Sequence, residues 1–87
     1  MELDRTQMTP VINRIKRAQG QLAGVLRLLE EGRDCEDVVT QLAAVSKALD
    51  RAGFAIVASG LQECLANGDG VTSPDMKKME KLFLSLA

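Results

Sequence analysis

The sequence predicts an all-α protein of three helices, and three observations carry that prediction. Apolar residues make up 46% of the 87-residue chain, yet Trp and Tyr are absent and Phe54 and Phe83 are the only aromatic residues. A core of Leu, Val, Ile and Ala suits helix packing better than a strand-rich fold. The apolar positions recur at spacings of three and four in three stretches, divided by the breaks EEGRD and NGDGVTSP.

The first helix is expected over residues 9–31, with Thr9-Pro10 as N-cap and first helical position and Gly32 as its C-terminal stop. Val11, Ile15, Leu22, Val25, Leu26 and Leu29 share one side of it. Gly20 and Gly24 each cost about 1 kcal/mol against Ala, and close approach by a neighbouring helix is the ordinary reason for such residues. Asp34 caps a second helix over residues 35–67, with Glu36 and Asp37 at its positive end. At roughly 50 Å it is too long for so short a chain to cover. Positions 35, 38, 42, 45, 49, 52, 56 and 59 are Cys, Val, Leu, Val, Leu, Ala, Ile and Ser, a coiled-coil-like seam that calls for a partner. Ser73-Pro74 opens a third helix over residues 74–86, with Met76, Met79, Leu82, Phe83 and Leu86 on one face. No repeat or low-complexity tract divides the chain, so residues 1–87 are expected to form one domain.

A chain of this length buries only about 60% of its unfolded surface, so self-association is expected. The absence of a long apolar run and the polar start MELDRTQ speak against a membrane span or secretory signal, and place the protein in the cytoplasm. The net charge of −1 is uneven: residues 5–29 hold Arg5, Arg14, Lys16, Arg17 and Arg27 with no acid, while five acids follow between Glu30 and Asp37. Arg14, Lys16 and Arg17, with Lys47 and Arg51 from the second helix, are the candidate phosphate-contacting groups.

The two thiols, Cys35 and Cys64, lie 29 residues apart. On one helix they point to the same side, but about 43 Å apart along the axis. Antiparallel pairing of two copies about a two-fold between Leu49 and Asp50 sets Val38 against Leu61, Leu42 against Val57 and Val45 against Phe54. The same operation brings Cys35 to Cys64 of the partner. Such a dithiol has three readings. It binds a soft metal, with a carboxylate such as Glu63 or water completing the site. It reacts with oxidised sulfur, Cys35 serving as nucleophile because helix N-termini favour thiolates, and Cys64 as resolver. Or both residues are small buried hydrophobes.

The stretch RIKRAQGQLAGVLRLLEEGRDCEDVVTQLAAVSKALDR, followed by LQECL, resembles the copper-sensitive operon repressor (CsoR) family over about residues 9–66. The resemblance rests on N-R-x-x-R-x-x-G-Q, on C-x-D-V-x-x-Q at Cys35 and on Cys64. It implies a transcriptional repressor and not an enzyme, assembled as a dimer of dimers through antiparallel second helices into a disc-like tetramer. It also implies operator DNA bound without a helix-turn-helix, with Arg14 and Arg51 at the family's DNA-binding arginines. Copper-sensing members hold the metal through two Cys and a His, and the His position is Gly60 in a chain with no His at all. Two cysteines without the His is similar to the persulfide-sensing branch (CstR). That branch implies di- or polysulfide bridging of Cys35 to the partner's Cys64 by reactive sulfur species, with release of the operator and no resident cofactor or metal. The alternative is a Cu(I) or Zn(II) sensor of the same fold, using Cys35, Cys64 and a non-His ligand. A sulfur-carrier enzyme or DNA-free scaffold is the third class, and acid-free residues 5–29 speak against it.

Overall fold

The computed structural model describes residues 2–87 as three helices, α1 (Arg5–Glu30), α2 (Cys35–Ala66) and α3 (Pro74–Leu86), with no strand among the described residues. The all-α expectation holds, and α3 begins and ends where expected. α1 does not start at Thr9. Its cap is Asp4, whose carboxylate accepts the Thr6 N–H at 2.9 Å and the Thr6 hydroxyl at 2.6 Å. Pro10 therefore lies inside the helix, where it forfeits the bond to the Thr6 carbonyl. The added turn is held by tertiary burial, because Met8 packs with Val11 against Ala52 of α2. α2 ends one residue earlier than expected, with Asn67 as its cap.

Both long helices close in the same way. Gly32 (φ 66°) and Gly68 (φ 80°) take the left-handed conformation just past the helix end. The next residue then bonds back: Arg33 N–H reaches the Leu28 carbonyl at 2.9 Å and Asp69 N–H the Cys64 carbonyl at 3.0 Å. α1 and α2 form an antiparallel hairpin. α3 folds back antiparallel along the C-terminal half of α2 and does not touch α1. Leu86 lies against Gly53 and Met79 against Gly60, while the Phe54 and Phe83 rings meet at 5.6 Å.

The expected seam of α2 is split in two. Val45, Ala52 and Ser59, one seven-residue row, are buried between the helices, and the Ser59 hydroxyl lies 3.5 Å from Gln7 Oε1 of α1. Cys35, Leu42 and Leu49, the neighbouring row, are exposed. A spacing of three and four describes two adjacent rows, and α1 covers only one of them. On α1 the expected face divides likewise, with Val11 and Val25 buried and Ile15, Leu22, Leu26 and Leu29 exposed. Close helix approach explains Gly24, whose missing Cβ would lie 3.3 Å from Gln41 Nε2, but not Gly20, which faces open space.

Candidate nucleic-acid groove and thiol site

The α1–α2 hairpin places Arg14 and Arg17 opposite Lys47 and Arg51 across an open groove. Spacings of three on α1 and four on α2 keep each pair on one face, and the antiparallel crossing brings the faces together. Ala44 and Ala48 line the groove with side chains too short to hinder entry. Gln21 also lines it, and its Oε1 is buried with no hydrogen-bond partner among the described residues. None of the four cations makes an ion pair among the described residues; the pairs present join Arg33 to Glu31 and Asp37. Four unpaired cations around one concavity raise the local potential beyond what a net charge of −1 suggests. Lys16 is exposed but does not line the groove, because two positions carry it about 200° around the helix from Arg14.

The two thiols occupy unlike surroundings. Cys35, at the head of α2, is exposed, whereas Cys64, in the last turn, is fully buried. They are not brought together within the chain, and Glu63 does not join either. Instead the helix-closing bond from Asp69 to Cys64 folds the loop back over the thiol, and Ser73, capping α3 through the Met76 N–H at 3.1 Å, sets Asp75 in the first turn above it. The Cys64 sulfur and the Asp69 and Asp75 carboxylates lie within 4.8 Å of one another. Burial pushes the Cys64 thiol up from its ordinary value, and the Asp69 and Asp75 charges push it further. One turn back along α2, at Gly60, a Cβ would lie 2.9 Å from Met79 Cε and 3.2 Å from Met79 Sδ. The Met79 thioether thus fills the space beside Gly60 that a side chain there would need. Asp69, Asp75 and Met79 were not legible as site residues, since only the fold-back of α3 carries them to Cys64. Gln21 was visible only as part of the basic motif.

The chain belongs to the metal-sensitive transcriptional repressor family, whose profile matches residues 7–85, and this is a family of repressors and not of enzymes. Among its relatives is the copper-sensing transcriptional repressor CsoR of Mycobacterium ulcerans (strain Agy99), 40% identical over 55 residues, which are 63% of this chain and 47% of that protein. The copper-sensing transcriptional repressor RicR of Mycobacterium tuberculosis (strain ATCC 25618 / H37Rv) is 35% identical over 69 residues, 77% of this chain and 72% of the relative. The uncharacterized protein YrkD of Bacillus subtilis (strain 168) is 50% identical over 38 residues, 44% of this chain and 60% of the relative. The chain spans about half the length of the curated CsoR relatives it matches. No solved structure is similar enough to count as a match.

Proposed function

We propose that the chain is the subunit of a cytoplasmic homotetrameric repressor that holds operator DNA by its phosphates. The observation that carries this reading is the groove of Arg14, Arg17, Lys47 and Arg51, four cations with no acidic partner among the described residues, on a family member. Repetition of the groove over several subunits makes a patch large enough for a duplex. Affinity then falls steeply with salt as phosphate counterions are released. Gel retardation of a fragment from upstream of the protein's own coding region tests it. Arg14→Ala and Arg51→Ala should each weaken retardation of operator and unrelated fragments alike and flatten the salt slope by about one for every phosphate no longer neutralised. Unchanged affinity in both would reject the groove as the DNA site.

The effector is a metal ion read through Cys64. The metal-sensitive family, the copper-sensing relatives and the carboxylates beside the thiol support this reading. A second reading, reactive sulfur bridging Cys35 to the partner's Cys64, draws on the exposed Cys35 and on the absence of His. The relatives' names lend it no support, and it requires α3 and its loop to uncover Cys64. The two readings separate by effector. Metal-driven release of DNA that survives Cys35→Ala marks the first. Release by tetrasulfide, with a covalent dimer heavier by whole sulfur atoms and lost in either Cys→Ala variant, marks the second.

A further inference from the structure

We infer that the junction of α2 and α3 is an intrasubunit site for a borderline divalent cation of the Zn(II) type, held by Cys64 Sγ and by the carboxylates of Asp69 and Asp75. Donors at 2.0–2.3 Å around a tetrahedral ion lie roughly 3.3–3.8 Å apart. The three donor atoms here are within 4.8 Å of one another, so about an ångström of side-chain rotation closes the set. The bond from Asp69 N–H to the Cys64 carbonyl (3.0 Å) and the Ser73 cap fix the loop and the first turn of α3 around the three donors. One sulfur and two carboxylate oxygens make a donor set of mixed hardness. Such a set suits Zn(II), whereas Cu(I) selects thiolate and thioether and is poorly served by carboxylate oxygen. The copper ascribed to the relatives therefore does not fit this donor set. Binding exchanges the thiol proton for the ion, the proton leaving to solvent, and two carboxylates offset the charge of the dication. Three protein ligands leave a fourth position for water.

The ligands come from the end of α2, the loop and the start of α3, so an ion there ties α3 to α2 at one point. Cys35 takes no part in its own subunit, being some 43 Å away along the helix. The regulatory meaning of the site rests on the metal reading proposed above; the binding itself does not.

The test uses the reduced full chain, with Co(II) as an optical probe and Zn(II) as competitor. One Co(II) per chain should bind with a thiolate-to-metal charge-transfer band that Zn(II) abolishes. Cys64→Ala should remove the band. Asp69→Asn and Asp75→Asn, which preserve shape and the first-turn fold, should each weaken binding by at least the roughly tenfold that loss of a supporting residue costs at metal sites. Cys35→Ala should leave the titration unchanged. Circular dichroism identical to the parent confirms that each variant is folded. Full affinity in both Asp variants overturns the inference. If Cys35→Ala abolishes binding while the Asp variants retain it, the inference fails but an intersubunit metal sensor stands. If the parent takes up neither Co(II), Zn(II) nor Cu(I), both fail.

Discussion

Cys35 and Cys64 are the same residue type on the same helix, and their surroundings make them chemically opposite. Cys35 is exposed, whereas Cys64 is enclosed by the loop and α3 with its thiol proton held more tightly than usual. Iodoacetamide at neutral pH should therefore modify Cys35 first and reach Cys64 at a comparable rate only after denaturation, as peptide mass mapping would record. Equal rates would mean that α3 does not seal the thiol. The shift also gives stability a sign. Because the folded chain keeps this proton above the ordinary thiol value of 9.0, the contribution is whole below that pH and is lost as pH rises through the folded value. Cys64→Ala should flatten the fall in denaturation midpoint on the alkaline side. At Gly60 the nearest atoms are the flexible end of Met79, so Gly60→Ala asks only that the thioether swing aside. The helix-propensity gain of about 1 kcal/mol should largely cancel the repacking cost in a urea titration.

Among the elements, α1 shows local rules overridden by packing. Pro10 reads as a helix start, yet the helix passes through it, because Asp4 provides a better cap upstream and Met8 and Val11 supply the burial on α2. Pro10→Ala restores the bond to the Thr6 carbonyl and removes the ring clash, and should raise stability by as much as about 3 kcal/mol. A lowered melting temperature would show that the first turn depends on proline. The bonds from Thr6 hold the Asp4 carboxyl below its ordinary value of 3.8. Its contribution is present above that value and is lost as pH falls through the folded one, so helicity lost in acid should be smaller in Asp4→Ala, as circular dichroism would show. α3 is the thin element. Among the described helices it packs on α2 alone, and the exposed Leu82 and Leu84 leave it few apolar contacts of its own. That makes the α2–α3 junction the first part to open under stress, and the place where a bound ion adds most.

Taken whole, the chain is a plate rather than a globule. Its Cα extents are 53 × 25 × 13 Å and its radius of gyration is 16.7 Å, against about 12 Å expected for a compact chain of this length. Its surface of 6447 Å² exceeds the roughly 5,000 Å² expected for its mass. Leu22, Leu26 and Leu29 on α1 and Val39, Leu42 and Leu49 on α2 form exposed rows, the pattern of an interface awaiting its partner. Leu42→Glu should lower the mass seen by light scattering at micromolar concentration and weaken DNA retardation with it, since a single subunit offers one groove. A variant with unchanged mass would move the interface off that row. Among the described residues, no helix is long and apolar enough to cross a membrane.

The three helices, the Gly32 stop, the Ser73-Pro74 start and the basic residues at helical spacing are all legible along the chain. These depend on neighbours within a turn, and local chemistry is written in local order. The sequence also carried the family, through the motif around Arg14, Gln21 and Cys35. Which apolar row of α2 is buried follows from the packing of α1. Rows 38, 45, 52, 59 and 35, 42, 49 are interchangeable by period, and the crossing of α1 chooses between them, while Ile56 at the end of the second row still reaches the core. Structure likewise set four cations around one groove and left Lys16 outside it. The fold-back of α3 settled the surroundings of Cys64. Asp69, Asp75 and Met79 reach that thiol through a loop whose direction comes from the left-handed Gly68, from the Ser73 cap and from packing on Gly53 and Gly60. No spacing along the chain encodes that meeting, because it depends on the path the chain takes through space.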